Sequence, residues 1–416
     1  MRNPLVILRS PLVILSEAKN LMNWELFHTL LSIDSTSGKE RAVADWLLEH
    51  LEAPSKQAME VGDGTLNLLF SWGTPKVVFC THMDTVPPYI APSFPEKRSF
   101  VAIAPQDDKG RPDDSSRHSD LTPCHSDDSS CHSDLTSCHS DVTPCHSERS
   151  EESIIKGRGA CDAKGQIIAM YTACKELEAV GKTDFGLLLL SGEETGSWGA
   201  KAFAKTDFRA PFLIVGEPTE NKMVSAAKGT KSYDLRFTGA AFHSGYPQYG
   251  TSAIDLFNDF YNKLKAKDFG RDPELGETSW NIGLLHSDNP QNILSPELSC
   301  RLYFRTTFVS DQAVQDWMQE MAGLAGHDVT PDPIGGLKVT PRGGDSPARY
   351  VTLPGFASAP VAFGSDAPHL SNFGHKIICG PGSIRHAHRD DEQIQLSELE
   401  EAVALYKRMY EQLLNG

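Results

Sequence analysis

Five short motifs in this chain place histidine and acidic side chains where an apolar segment gives way to a turn. The motifs are Thr81-His82-Met83-Asp84, Gly159-Ala160-Cys161-Asp162, Gly192-Glu193-Glu194, Gly216-Glu217-Pro218 and Ala387-His388. Two imidazoles and several carboxylates are the ligands that a pair of zinc-like cations takes, and one carboxylate is left over to act as a base. Together the motifs predict a dinuclear metal site with hydrolytic chemistry.

Several of these residues have a second interpretation when they are taken alone. Asp84 follows His82 by two residues, where its carboxylate could accept the second N–H of the imidazole and leave the other nitrogen for a metal. Asp162 lies in a glycine-flanked turn before a predicted helix, so it is either a helix N-cap or a carboxylate that bridges two cations. Glu217 follows a strand and could be an ordinary turn carboxylate.

The adjacent pair Glu193-Glu194 is the most specific feature among the motifs. Two neighbouring carboxylates after an apolar strand repel each other unless a cation or a proton intervenes. Because adjacent side chains point in different directions, one can bind a metal while the other faces a water molecule. In the closing motif His386 and His388 both remain candidate ligands on this reasoning.

The elements around the motifs predict an α/β fold. Apolar strands end just before His82, Glu193 and Glu217, and amphipathic segments between them indicate helices that cover both faces of a sheet. Functional sites of such sheets lie beyond the carboxyl ends of the strands, which is where the motifs fall. We expect a catalytic domain from residues 22–223 and 337–416, with an inserted α+β module at 224–336.

The composition of the chain argues against two classes of function, nucleic-acid binding and membrane spanning. The chain has 416 residues and a formal net charge of −16, and we find no basic stripe that would favour a nucleic-acid partner. No apolar run is long enough to span a membrane. Scattered cysteines without paired spacing predict free thiols and a cytoplasmic location.

Two repetitive segments stand apart from the fold. Residues 1–21 contain a seven-residue apolar duplication that predicts a repeat-derived or misassigned start, with Met22 as the expected beginning. Residues 118–152 repeat a seven-residue theme that carries histidine and cysteine. This segment could bind a metal, but its few apolar residues and unmatched spacing favour a disordered insertion over 106–153.

At these motifs the chain resembles the M20 family of dinuclear metallohydrolases, over nearly everything from Met22 to Gly416 except the repeat insertion. It is most similar to the acetylornithine deacetylase and succinyl-diaminopimelate desuccinylase branch, through Gly216-Glu217-Pro218-Thr219, Lys228-Gly229-Thr230 and the closing Gly-Pro-Gly and Ala-His. The resemblance implies a doubly wound, mostly parallel sheet with an inserted α+β lid or dimerisation domain. The spacing from His82 to Asp162 is longer than members of the family normally show. Removal of residues 106–153 restores an ordinary spacing.

The resemblance also implies a role for each matching residue. It implies that His82 and Glu217 hold one metal ion, that Glu194 and His388 hold the other, and that Asp162 bridges them. It selects His388 over His386, and it makes Glu193 the general base and Asp84 the residue that orients His82. In the lid, the resemblance implies that His243 stabilises the oxyanion, often across a dimer interface, and that Asn292 and Arg305 contact the substrate. A physical argument also supports this role for Arg305, because a guanidinium group binds a carboxylate bidentately. Taken alone, Arg305 could equally be an arginine on the surface of a strand.

We therefore predict a hydrolase with two divalent metal ions, zinc first and cobalt or manganese as alternatives, that removes the acyl group from an N-acyl amino acid. A dipeptidase or carboxypeptidase of the same family is the alternative, and a non-catalytic metal-binding homologue is a third hypothesis. The expected partners are this small-molecule substrate and a second copy of the chain, bound through the inserted domain, with no nucleic acid and no membrane.

Overall fold

The computed structural model describes residues 22–62, 64–95, 153–327 and 336–415, so the repetitive segments 1–21 and 118–152 lie outside the described residues. The helices are α1 (Trp24–Ser32), α2 (Arg41–His50), α3 (Lys164–Ala179), α4 (Trp198–Phe203), α5 (Ala253–Ala266), α6 (Asp311–His327) and α7 (Leu396–Asn415). The strands are β1 (Ser55–Gly62), β2 (Thr65–Trp72), β3 (Val77–His82), β4 (Ile154–Lys156), β5 (Phe185–Leu190), β6 (Ala210–Val215), β7 (Met223–Ala227), β8 (Gly229–Thr238), β9 (Arg271–Asp272), β10 (Gly276–Glu277), β11 (Ser279–His286), β12 (Glu297–Thr306), β13 (Gly336–Gly343), β14 (Ala348–Arg349), β15 (Ser358–Val361), β16 (Phe373–Ile378) and β17 (Gln393–Gln395).

The larger sheet has six strands in the order β1-β2-β5-β3-β6-β16. The pairs β5-β3, β3-β6 and β6-β16 are parallel, whereas β1-β2 and β2-β5 are antiparallel. Because β5, β3 and β6 are neighbours that run the same way, their carboxyl ends meet at one edge of the sheet. This arrangement confirms the predicted α/β class.

Alternate residues of the central strands enter two separate cores. In β3, Val77 and Phe79 pack in a core that includes residues of α1, α3 and α7, whereas Val78 and Cys80 pack on the opposite face against α4. Side chains of a strand alternate between the two faces of a sheet, so a strand buried on both faces is apolar throughout. This explains the unbroken apolar sequences of β3 and β5.

A second sheet, which we call the lid sheet, has four antiparallel strands in the order β11-β12-β8-β13. One of its faces is buried against α5 and α6, where Phe237, Phe304, Phe260 and Trp317 belong to one core. The other face is polar. This sheet extends past the boundary expected at residue 336, because β13 (Gly336–Gly343) pairs with β8. The expectation missed β13 because a largely exposed strand with glycine and proline lacks a clear apolar pattern.

The chain on either side of the repeat insertion is held together. Ser93 and Lys156 form an isolated antiparallel bridge, in which each backbone N–H donates to the other's carbonyl at 2.9 Å. Backbone hydrogen bonds therefore join the two ends of the segment that contains the insertion.

Two further expectations concern cysteines and membranes. The cysteines of the described residues, Cys80, Cys161, Cys174, Cys300 and Cys379, are all free and buried. Across the described ranges, no helix combines the length and apolar character needed to cross a bilayer.

Candidate active site

Three neighbouring parallel strands bring the predicted motifs to one edge of the larger sheet. His82 is the last residue of β3 and pairs with Leu190, the last residue of β5. Glu193 and Glu194 follow β5 by a tight turn, and Glu217 follows β6 by one glycine. The order of strands thus joins His82 to two motifs that lie more than a hundred residues further along the sequence.

Asp162 lies between two imidazoles, with one carboxylate oxygen toward each. His82 Nε2 is 3.1 Å from Asp162 Oδ1, and His388 Nε2 is 3.4 Å from Asp162 Oδ2. His388 Nε2 is also 3.1 Å from Glu194 Oε1. Ligand atoms of His82, Asp162 and Glu194 all lie within 4.8 Å of one another. The N-cap residue of α3 is Ala163 and not Asp162, so the side chain of Asp162 does not cap this helix and faces the two imidazoles instead.

The electrostatics of this cluster follow from burial and mutual contact. Burial opposes the charged form of the His82 imidazole, but Asp162 and Asp84 still raise its pKa well above the ordinary value. Hydrogen bonding to Asp162, and then to Glu194, raises the pKa of His388 to about 10. Burial also opposes the charged form of Asp162, and the two imidazoles hold its pKa below the usual range. The imidazoles and carboxylates therefore stabilise one another's charge.

Two further carboxyl groups adjoin the cluster with little compensating charge. Burial, and then nearby acids, raises the pKa of Glu193 and of Glu217 well above the ordinary value. Glu217 Oε1 is buried and has no hydrogen-bond partner in the described part of the chain. A buried carboxylate oxygen without a donor is costly unless a cation satisfies it. The donor set of imidazole and carboxylate, together with this orphaned oxygen, fits divalent cations such as zinc.

Asp84 acts through two different groups. His82 Nδ1 is 2.9 Å from the backbone oxygen of Asp84 and 3.5 Å from its Oδ1, so the carbonyl rather than the carboxylate is the nearer partner. The carboxylate accepts hydrogen bonds from the backbone N–H groups of Glu193 and Glu194, at 3.0 and 3.1 Å, and from Ser37 Oγ at 2.9 Å. Asp84 therefore orients His82 and also fixes the turn that carries the acidic pair.

A buried ion pair supports the Asp162 turn, and the sequence did not reveal it. Glu392 Oε1 accepts hydrogen bonds from the backbone N–H groups of Gly159, Cys161 and Asp162, each at 3.0 Å. Its Oε2 accepts from Arg158 at 2.6 Å, and both side chains are 1% exposed. Arg158 Nε donates to the carbonyl of Pro88, which follows the His82 motif. The pair thus connects the segments that carry His82, Asp162 and His388. Sequence reasoning missed the pair because its two residues are 234 positions apart in the chain.

Asp162, Glu194 and His388 of this cluster line the floor of a cavity of about 450 Å³, and the lid sheet helps to line it. Arg305, expected to contact substrate, lies on this lining together with Thr230, Ser232, Tyr303 and Arg342 of the lid sheet and Lys201 of α4. Sequence reasoning missed Lys201 and Arg342, because single cations in exposed segments give no distinctive signal. His388 lies on the lining of this cavity, whereas His386 does not.

The structure does not bring His243 and Asn292 to this cavity. Both are exposed and lie next to each other in lid loops, where the backbone N–H of Ser244 donates to the carbonyl of Asn292 at 2.9 Å. His243 forms an isolated bridge with Ile293. Neither belongs to the lining residues described above.

The sequence of this chain is similar to one family model and to several known proteins. The model of peptidase family M20/M25/M40 matches residues 135–340. A peptidase M20 domain-containing protein of Schizosaccharomyces pombe is 29% identical over 399 residues, covering 92% of this chain and 83% of its own length. A probable carboxypeptidase of Aspergillus niger is 28% identical, covering 92% and 88%.

Solved structures share the fold at low sequence identity. A tripeptidase of Staphylococcus aureus has a TM-score of 0.66 at 17% identity, covering 94% of this chain and 98% of its own. An M20 family metallo-carboxypeptidase of Sulfolobus solfataricus has a TM-score of 0.60 at 15% identity, covering 92% and 97%. A dinuclear metal-binding M20 peptidase of Bacillus subtilis has a TM-score of 0.56 at 10% identity, covering 98% and 99%.

Proposed function

We propose that this chain is a member of the M20/M25/M40 peptidase family, that it hydrolyses amide bonds, and that it releases the carboxy-terminal residue of short peptides. The observation that carries the proposal is Asp162 held between the imidazoles of His82 and His388. Glu193 and Glu217 line the cavity above this group. The names of the relatives, carboxypeptidase and tripeptidase, favour peptides over the acetylornithine deacetylase branch.

The acid and histidine cluster would hold two divalent cations. We assign His82 and Glu217 to one cation, Glu194 and His388 to the other, and Asp162 to both, with zinc as the first candidate metal. When bound, such cations polarise a carbonyl group and make a water molecule more acidic. The carbonyl oxygen of Asp84 holds the imidazole of His82 in the required orientation.

Glu193 is the group that moves the proton. Its carboxylate removes a proton from the attacking water molecule and then delivers it to the amine that leaves. The turn amides bonded to Asp84 hold Glu193 in place for both steps. Arg305 donates hydrogen bonds to the carboxylate next to the scissile bond, since a guanidinium group matches a carboxylate with two parallel bonds.

His243 would complete the site from a second copy of the chain. It is exposed on the lid and away from the cavity of its own chain, so it is free to reach a neighbour's cavity. The edge strand β11 exposes Leu284 and Leu285 at 71% and 56%, which offers an apolar surface for that second copy. The proposed enzyme is accordingly a homodimer through the lid, with Asn292 beside His243 at the contact.

Subunit mixing tests this arrangement directly. The variants Glu193→Gln and His243→Ala are each expected to have very low activity as homodimers. Mixed after mild dissociation, they should regain activity, because one site of each heterodimer has both residues intact. If the mixture stays as inactive as its components while heterodimers are present, His243 does not act across the interface.

Removal of an acyl group from an N-acyl amino acid is the second candidate. The segment Gly216-Glu217-Pro218-Thr219 and the sequence Lys228-Gly229-Thr230 favour it by resemblance. Hydrolysis of N-acetylornithine, N-succinyl-diaminopimelate, dipeptides and tripeptides by the zinc-loaded protein separates the two candidates. Peptide turnover above that of the acyl amino acids supports the first. If the protein binds two metal ions but hydrolyses none of these substrates, it is a metal-binding protein without catalytic activity.

A further inference from the structure

The face of the lid sheet that points away from α5 and α6 is strongly charged. In β8 and β12, alternate residues such as Leu235 and Leu302 are buried in the lid core, so the intervening residues lie on the opposite face. The register pairs Arg305 with Thr230, Tyr303 with Ser232, Arg301 with Asp234 and Ser299 with Arg236. On the next strand, Lys338 pairs with Arg236.

Cations exceed carboxylates on this face. We call its five cationic residues the basic lid face: Arg236, Arg301, Arg305, Lys338 and Arg342. The same face carries two carboxylates. Asp234 is shared between Arg301 at 2.7 Å and Arg342 at 3.5 Å, and Glu297 pairs with Arg236. Arg305 and Lys338 have no carboxylate within salt-bridge distance among the described residues. The excess of positive charge stands out in a chain whose net charge is −16.

The basic lid face continues the cavity outward. Thr230, Tyr303, Arg305 and Arg342 line the cavity above the acid and histidine cluster. One row further along the same strands, Asp234, Arg301 and Lys338 line a neighbouring depression of about 340 Å³, together with Arg236. Since every second residue of a strand is about 7 Å further along, a ligand can pass from one row to the next with little bending.

We propose that the basic lid face selects peptides whose carboxy-terminal end carries acidic side chains. This inference rests on the proposed function, and it names the substrate class of the same site. With the terminal carboxylate at Arg305, a glutamate side chain of that residue reaches the row of Arg342. A neutral side chain would gain no ion pair with the excess positive charge of this face, which favours the acidic peptide.

Matched peptides test the proposal on the zinc-loaded protein. The substrate pairs are Ala-Glu against Ala-Gln and Ala-Glu-Glu against Ala-Gln-Gln, because each pair differs in charge but barely in shape. We expect kcat/KM to be about tenfold higher for the glutamate peptide in about 50 mM salt, and the ratio to fall as salt screens the interaction.

Charge reversal localises the effect. The double variant Arg342→Glu, Lys338→Glu should lower the glutamate-to-glutamine ratio by about tenfold or more. The control is the same change of charge at two exposed lysines of α5, Lys263→Glu and Lys265→Glu, on the other side of the lid sheet, which should leave the ratio as in the unmodified protein. A ratio near one in the unmodified protein, or an equal loss in the control, overturns the proposal.

A binding measurement separates this inference from the proposed function. Calorimetric titration of the Glu193→Gln protein with Ala-Glu-Glu and Ala-Gln-Gln requires no turnover. If the unmodified protein hydrolyses no peptide, the proposed function is wrong. Tighter binding of Ala-Glu-Glu than of Ala-Gln-Gln, lost when the double variant is added, would still support selection of acidic peptides by the basic lid face. Equal or absent binding of both peptides would overturn it.

Discussion

The two walls of the cavity are held in place by different kinds of contact. On the floor, His82, Asp162, Glu194 and His388 touch one another directly, and buried hydrogen bonds from Asp84 and Glu392 fix the turns that carry them. On the lid, Arg305 and Arg342 are separate cations on an exposed sheet face, with one shared carboxylate near Arg342. Interlocked groups suit chemistry, which needs fixed geometry, whereas separate cations suit recognition. Substitutions on the floor should therefore affect kcat most, and substitutions on the lid should affect KM most.

The largest effect should come from Glu193→Gln on the floor. Removal of a general base lowers rates by roughly 10²–10⁴-fold, and the amide keeps the shape of the side chain. We expect kcat to fall by this range while bound zinc stays at the unmodified level. Single-turnover kinetics with metal analysis measures both. Near-normal turnover would show that another group accepts the proton.

Next in size is Glu392→Gln, which removes a buried charge without touching substrate. It leaves Arg158 buried without its ion partner and weakens the acceptor of three backbone N–H groups. Breaking such a pair costs about 3–5 kcal/mol of unfolding free energy. Denaturant unfolding should show this loss, and zinc affinity should fall by roughly 10–100-fold.

The matched control for that experiment is Glu400→Gln, an exposed glutamate of α7. It should change the unfolding free energy by less than about 0.5 kcal/mol. If Glu392→Gln behaved like the control in both stability and zinc affinity, the ion pair would not position the Asp162 turn.

On the lid, Arg305→Gln should separate recognition from chemistry. Loss of a bidentate carboxylate contact costs about 2–3 kcal/mol, so we expect KM for a short peptide to rise by roughly 30–150-fold. Zinc content and kcat should change far less than in Glu193→Gln. Steady-state kinetics on one dipeptide decides this, and an equal fall in kcat with constant KM would place Arg305 with the chemical groups instead.

The smallest effect should follow excision of residues 106–153. Ser93 and Lys156 close the chain at the base of this segment, so its removal leaves the floor contacts intact. Shortening a loop of this length changes the unfolding free energy by only about 1 kcal/mol, in favour of the folded state. Turnover of the excised protein should match the full chain. A large loss of kcat would show that the segment takes part in the site.

The floor was predictable from sequence to a greater extent than the lid. Apolar strands followed directly by His82, Glu193 and Glu217 imply a shared edge, because parallel neighbours end together. The choice of His388 needed the resemblance, since His386 fits the same local pattern. The support from Arg158 and Glu392 could not be read, because their partnership depends on a contact between segments more than 230 residues apart.

For the lid, the alternating pattern of β8 and β12 predicted strands but not their register. The basic lid face arises only when β8, β12 and β13 align, and β13 was not expected as a strand. Individual arginines on separate strands therefore gave no sign of a common surface.

The stoichiometry of zinc binding tests the central assignment most directly. Metal-free protein and its Asp162→Ala variant are titrated with zinc in calorimetry, with the metal content confirmed by elemental analysis after gel filtration. A carboxylate shared by two cations predicts two tightly bound zinc ions in the unmodified chain and at most one in the variant. Two ions bound equally well by both proteins would contradict the account.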